Sequence, residues 1–223
     1  MHRCLVPIAL TALFCLETPA NSADSVVPAG FTSLFNGKDL TGWKTNKGGK
    51  IELWGSENGL IFTKGGGGGW LMTEMEYDNF EVRLEFKLPT EGKGNSGVAL
   101  RSPLEGNPAY AGMEIQILDD AWYLNEKNYK GLKPTQKTGS IYDVVGPSKD
   151  ALKPAGEWNA YRIVCKGRQV TIILNGTTIV DANLDDYKEQ FKGHPGLLRE
   201  KGHLGLQSHD GRVEFRNLFV KKL

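Results

Sequence analysis

Cysteine is nearly absent from this chain. Of 223 residues three are cysteine, and Cys4 and Cys15 fall in an apolar leader, so the rest of the chain keeps only Cys165. That excludes an internal disulfide framework, and stability has to come from core burial. An excess of one charge is missing too, since 27 basic residues face 26 acidic ones for a net charge of +1. No Lys/Arg run forms a basic stripe, so nucleic acid is not an expected partner. His-Glu-x-x-His, Cys-x-x-Cys and an EF-hand loop do not occur, which leaves no metal motif. Gly-x-Ser-x-Gly is absent, against a serine hydrolase. "KGGGGGW" (64–70) has no Lys-Ser/Thr ending and no helix after it, so it reads as a flexible rim loop and not a phosphate cradle.

Long hydrophobic runs are also lacking. The longest lies in the first 25 residues, from Cys4 to Leu16 after His2 and Arg3, and is too short to span a membrane. A basic start, an apolar centre and a small-residue end make a secretory signal over 1–23, with cleavage expected after Ala23. The expected product is secreted or periplasmic, with one domain over 28–223 and no membrane span. Oligomeric state is not legible.

Helical periodicity is the last absence: only "LDDYKEQFKG" (184–193) offers a short amphipathic turn or two. What is present is period two. In "FEVRLEFKL" (80–88), Val82, Leu84, Phe86 and Leu88 alternate with Glu81, Arg83, Glu85 and Lys87, a half-buried strand. Residues 160–184 read as strands joined at Gly167-Arg168 and at Asn175-Gly176, a strong hairpin signal. The terminal run 212–223 slips at Asn217-Leu218, as at a bulge. Further strands are expected at 51–64, 94–102, 112–119, 139–146 and 203–210. Many short strands between Gly and Pro turns make an all-β sandwich or jelly roll. Residues 120–138 are the longest irregular segment, and loops of that length are usually functional or mobile. Trp43, Trp54 and Trp158 read as core, and Cys165 as a buried inert thiol.

The strand "GMEIQILDD" (112–120) carries the sharpest functional signal. Ile115 and Ile117 point to one face, Glu114 and Gln116 to the other. The pair is either a solvated strand face or the floor of a groove.

Seven stretches occur in order: "FTSLFNGKDLTGWK" (31–44), "GGWLMTEMEYDNFEVRLEFKLP" (68–89), "GNSGVALRSP" (94–103), "GMEIQILDD" (112–120), "TGSIYDVVGP" (138–147), "GEWNAYRIVCKGRQVTIILNG" (156–176) and "GHLGLQSHDGRVEFRNLFVKKL" (202–223). Together they resemble the 3-keto-disaccharide hydrolase family. The resemblance implies a concanavalin A-like jelly roll of two antiparallel sheets, one concave. It implies an exported hydrolase, or lyase-hydratase, acting on oxidised di- or oligosaccharides. Related laminarinase-type enzymes carry Glu-x-Asp-x-Glu on the equivalent strand. Here Gln116 and Leu118 stand at the second and third acid positions, so the two-carboxylate glycosidase mechanism is not expected. A 3-keto sugar needs less, because the ketone acidifies C2–H and the C1 substituent can leave by elimination. Such chemistry asks for a base, a clamp for the enolate, and an acid.

On this resemblance Glu114 is the candidate base, Arg101 the clamp and His209 the proton exchanger. Gln116, Asp119, Trp70, Trp122 and Tyr142 are candidate sugar contacts. An ordinary ion pair for Arg101 and a turn position for His209 stay open as alternatives. No cofactor is certain from the sequence, and the metal is unknown; a divalent ion such as calcium, held by carboxylates and carbonyls of separate loops, remains compatible. The competing reading is a non-catalytic, lectin-like carbohydrate-binding module, since fold does not fix function.

Overall fold

Alternation of apolar and polar side chains gives this chain strands, and strands with one apolar face must pair those faces. The computed structural model describes residues 26–223 apart from Gly68 and Glu126. The leader over 1–23 lies outside the described residues. The strands are β1 (Thr32–Ser33), β2 (Trp43–Thr45), β3 (Trp54–Glu57), β4 (Leu60–Thr63), β5 (Gly69–Tyr77), β6 (Phe80–Lys87) and β7 (Asn95–Ser102). They continue as β8 (Met113–Leu118), β9 (Trp158–Lys166), β10 (Gln169–Leu174), β11 (Thr177–Asn183), β12 (Gly202–Ser208) and β13 (Glu214–Lys222). The larger sheet runs β11-β10-β9-β6-β13-β4-β3, with β1 on β13; the smaller runs β2-β5-β12-β7-β8. All pairings are antiparallel. The result is a jelly-roll-like sandwich, the all-β class expected.

Phe80, Val82, Leu84 and Phe86 of β6 face Ile115 and Ile117 of β8 and Leu204 and Leu206 of β12 in one buried cluster. Cys165 belongs to it, and burial pushes its thiol up to about 12, so it is inert as expected. On the outer face of the larger sheet, Glu81 takes both Arg83 and Arg162, and Glu85 takes Arg216. Trp158 corrects the sequence reading. It is half-buried on that outer face, with Lys87 and Arg216 over its ring at 5.0 and 4.0 Å.

The terminal bulge is found where the slip in alternation put it: the β13 register shifts between Arg216 and Phe219, and Asn217 has φ 55°. Residues 139–146 depart from expectation. Asp143 adopts φ 56° and Ile141 bonds Val145 in both directions, closing a turn instead of a strand. That segment lies along the free edge of β8, where Ser140 accepts from Gln116 N at 3.1 Å and Tyr142 N donates to Glu114 O at 2.9 Å. It thereby satisfies backbone groups that an edge strand leaves open. The 184–193 segment forms a 3-10 helix over Leu184–Gln190.

Arg101 is a second departure, and it bears on function. It sits on β7 at φ 49° and is 1% exposed. Its guanidinium donates to the carbonyls of Asp78 at 2.9 Å, Gly167 at 2.8 Å and Arg199 at 3.4 Å. Those carbonyls belong to the β5–β6 turn, the β9–β10 turn and the segment before β12, so one side chain ties three loops at one end of the sandwich. With Nε and Nη1 committed there and the side chain buried at that end, Arg101 is a structural clamp and does not face the groove. Hydrogen bonds from a charged group are each worth about 1.5–3 kcal/mol. Arg101→Met should therefore lower unfolding free energy by roughly 3 kcal/mol or more, read as a shifted denaturant midpoint. A loss below about 0.5 kcal/mol, the scale of an ordinary surface substitution, would contradict the assignment.

Candidate functional site

The outer face of the smaller sheet is built in rows. One row is Gln116 of β8 opposite Gly97 of β7, followed by Gln207 and Trp70, which pair across β12 and β5. The next is Glu114 opposite Ala99, then Gly205 and Met72. Ile115 and Ile117 are fully buried between the sheets, so strand alternation fixes Glu114 and Gln116 on this outer face.

The face is not open to solvent. Helix α1 (Pro108–Ala111), capped by Asn107, lays Ala109 against a cluster of Trp70, Met72 and Ala99. Tyr110 of α1 packs against the same cluster and stacks on His194, with ring centroids 4.9 Å apart. Tyr142 meets Tyr110 edge-on at 6.3 Å, and its hydroxyl accepts from Gln136 Nε2 at 3.3 Å. Gln136 also donates to Asp143 at 3.0 Å, which pairs with Lys133 at 3.6 Å. The irregular 120–138 segment is tied at its ends, since Asp120 accepts from Thr138 N at 3.0 Å and from its hydroxyl at 3.1 Å.

Under this roof Glu114 is 3% exposed and Gln116 4%. Glu114 Oε1, Gln116 Oε1, Gln207 Oε1 and His194 Nε2 are buried without a protein partner. Buried polar atoms are nearly always paired by protein, water or ligand. Strand register puts three of these, on Glu114, Gln116 and Gln207, side by side on the floor, which makes this the candidate site. Glycine at 97 makes the arrangement possible: a Cβ there would run into the Glu114 carboxyl, which therefore lies flat over Gly97. Burial raises the Glu114 carboxyl to about 8, so at neutral pH it is mostly protonated. Burial raises Tyr142 to about 12 and, with Asp143 and Glu114, also raises Tyr110. His194 is lowered, again by burial, against the opposing pull of Asp143 and of a hydrogen bond with the Gln190 backbone.

The remaining candidates are placed as follows. Trp70 is on the face but 4% exposed, packed under α1 and not presented as a stacking platform. Asp119 lies past the end of β8 and caps helix α2 (Asp120–Leu124), accepting from Trp122 N at 3.1 Å. Trp122 is half-buried on that helix, edge-on to Tyr123 at 4.8 Å. His209 is half-exposed at the end of β12, with Nδ1 2.9 Å from Asp210 Oδ2. Four residues beyond Gly205, it stands about 13 Å along the strand from the Glu114 row. Trp122 and His209 thus rim one end of the face, while Tyr110, Tyr142 and His194 cover the other. Arg101 and His209 lie at opposite ends of the β7–β12 pair, roughly 20 Å apart at the strand rise. They do not share one cleft, which corrects the expectation of a common Glu114–Arg101–His209 centre.

Sequence reading missed Tyr110, His194 and Gln207. Gln207 could have been found, because it alternates with Leu204 and Leu206 as Gln116 does with Ile115 and Ile117. Tyr110 and His194 sit in a four-residue helix and a 3-10 cap, which carry no periodic signal. Among the described residues no group of three or more His, Cys, Asp or Glu side chains is arranged to hold a metal ion, and no helix is long and apolar enough to cross a membrane.

The antiparallel jelly-roll sandwich is a fold found in both carbohydrate hydrolases and carbohydrate-binding proteins. The chain belongs to the 3-keto-α-glucoside-1,2-lyase-like family, whose model matches residues 30–221. It is 27% identical to a 3-keto-disaccharide hydrolase of Bacteroides thetaiotaomicron, over 87% of this chain and 79% of that one. A Parabacteroides distasonis protein of known structure, provisionally classed as a glycosyl hydrolase, is 32% identical. It superposes with a TM-score of 0.74, covering 87% of this chain and 94% of its own. A carbohydrate-binding module of Bacillus subtilis, 14% identical with a TM-score of 0.56 over 83% of this chain and 98% of its own, shares the fold alone.

The contact between Gly97 and Glu114 yields a direct test. Gly97→Ala places a methyl group where the carboxyl lies, on backbone that accepts alanine without strain, so the protein should fold while the carboxyl is displaced. Misplacing a reacting group by about 1 Å can cost on the order of 10²-fold, and the variant's kcat should fall by about that factor. Unchanged turnover with an unchanged melting curve would show that the position of the carboxyl over Gly97 is immaterial.

Proposed function

We propose that the protein is an exported enzyme that cleaves the glycosidic bond of 3-keto-disaccharides or 3-keto-glycosides. The oxidised ring rests on the Glu114 carboxyl where it covers Gly97, beside Gln116 and Gln207. The observation that carries the reading is Glu114: a single buried carboxyl with an unpaired oxygen, beside unpaired amide oxygens suited to sugar hydroxyls. Family membership and the 3-keto-disaccharide hydrolase relative support it.

An ordinary glycosidase flanks the bond with two carboxyl groups. Within hydrogen-bonding reach of this floor the strand supplies one, since Leu118 occupies the next outward position and Asp119 is spent as a helix cap. A ketone at C3 removes the need for the second. It acidifies C2–H, so the proton can leave with the electron pair delocalised onto the ketone, and expulsion of the C1 oxygen follows. Water then adds across the resulting C1=C2 bond. Glu114 exchanges one of the protons this sequence requires. Gln116 and Gln207 hold the ring, and the leaving sugar extends toward Trp122 and His209.

Purified protein incubated with 3-keto-trehalose or 3-keto-lactose should release monosaccharide, and the unoxidised sugars should stay intact. Glu114→Gln keeps the volume and removes the exchangeable proton. A positioned proton-transfer group is worth about 10²–10⁴-fold in rate, so kcat should drop by that factor with little change in KM. Near wild-type turnover by Glu114→Gln would move the chemistry elsewhere. Equal cleavage of unoxidised sugars would remove the 3-keto requirement.

A further inference from the structure

Elimination across C1–C2 moves two protons, one off C2 and one onto the leaving oxygen, and Glu114 can serve only one of them at a time. The sequence offered His209 for the other, but it stands at the far rim, paired with Asp210. The structure places a different histidine against Tyr110, in the cover of the Glu114 face. His194 precedes a short 3-10 helix, Pro195–Leu198, which packs on α1: a Cβ on Gly196 would run into the Gly112 backbone. That close approach lays the imidazole against Tyr110, the ring that also meets Tyr142 beside Glu114. Nε2 is buried with no partner.

We propose that His194 takes the C2 proton through Nε2, and that Glu114 is the acid that protonates the departing C1 oxygen. The assignment rests on the 3-keto-glycoside reading and reverses the role the strand motif alone suggests for Glu114.

Protonation states favour it. The backbone of His194 is fixed by its N–H donating to Gln190 O at 2.8 Å. Nε2 has no protein partner, so the tautomer that acts is the one whose lone pair is on Nε2. Burial holds the imidazole neutral and the carboxyl protonated at the same pH. Two groups pushed in opposite directions by their surroundings are the usual mark of a base and an acid in one site. The charged and titratable groups facing them are few. Tyr110 from α1 and Tyr142 from the edge segment face Glu114. Tyr110 and Asp143 face His194, with Asp143 held by Lys133 and Gln136.

The steps balance. The C2–H proton goes to His194 Nε2, and its electron pair forms the C1=C2 bond conjugated with the C3 ketone. The C1–O bond breaks, its electrons go to the leaving oxygen, and that oxygen takes the Glu114 proton. The products are an unsaturated keto sugar, a free alcohol, an imidazolium and a carboxylate. For hydration, the carboxylate takes a proton from water as its oxygen bonds C1, and the imidazolium returns its proton to C2. Both residues end as they began, and the net reaction is hydrolysis.

The test is threefold. For wild type, kcat/KM on a 3-keto-disaccharide should be bell-shaped in pH. The rising limb lies below the ordinary histidine value near 6.5, as His194 loses its proton, and the falling limb near 8, as Glu114 loses its own. Activity that instead climbs through pH 8 would mean the Glu114 carboxylate is the base, and would overturn the assignment. In D₂O, Glu114→Gln should still exchange the C2 hydrogen of a 3-keto sugar while losing cleavage by about 10²–10⁴-fold. His194→Asn should lose exchange and cleavage together, with a melting curve like wild type, and added imidazole should restore exchange to His194→Ala. Exchange surviving in His194→Asn but lost in Glu114→Gln would reverse the roles and leave the functional reading standing. Neither exchange nor cleavage by wild type would instead defeat the functional reading itself.

Discussion

The site depends on keeping one carboxyl group dry. Glu114 costs the fold stability, because the unfolded chain ionises it near 4.5 while the folded protein holds its proton to about 8. Between those values the unfolded state binds fewer protons than the folded one. The cost therefore grows as pH rises from 4.5, and levels off above 8 at on the order of 5 kcal/mol. That is comparable with the whole net stability of many domains. Only a large core on the other side of the same strand can offset it, and Ile115 and Ile117 belong to a cluster that spans both sheets. The functional strand is thus anchored on one face by burial and strained on the other by desolvation.

Desolvation needs a roof, and the roof needs an edge. Strand β8 ends the smaller sheet, and its exposed backbone is covered by 138–142 instead of by another strand. The Tyr161 hydroxyl donates to Gln116 O at 2.7 Å from the opposite sheet, so the floor is held from behind as well. Because the covering segment turns sharply at Asp143, Tyr142 rises beside Glu114 where a continued strand would run past it. The departure from period two at 139–146 is what builds the wall of the site.

This division explains what was legible in the sequence. Strands with one buried face announce themselves through alternation, as β6, β8 and the bulged β13 did. Asn175-Gly176 marked its hairpin for the same local reason, a turn that needs positive φ. The outward direction of Glu114 and Gln116 followed from the strand period alone. Arg101 was misread because its φ of 49° takes the residue out of the strand period. Asp119 was misread because an acid just past a strand serves a helix cap as readily as a ligand. Tyr110 and His194 come from elements 84 residues apart in the chain, and no local pattern joins them. Their meeting depends on glycine at 196 letting two backbones touch, a contact that only the folded chain shows.

A single-carboxyl floor also bears on how specificity can arise. Gly97, Ala99 and Gly205 put no bulk on the centre of the face, but Ala109 covers Ala99 and Met72 fills the space at Gly205. Over Gly97 it is the Glu114 carboxyl itself that lies on the sheet. Under the proposed function, a ring resting on that carboxyl has its polar groups answered by Gln116 and Gln207, which can discriminate through groups left unpaired when a partner is missing. With one carboxyl, an unoxidised sugar that fitted the same space would still lack an acidic C2–H. Under the proposed chemistry, selection for the oxidised substrate is then made by reactivity, and the pocket has to recognise only a sugar of the right shape.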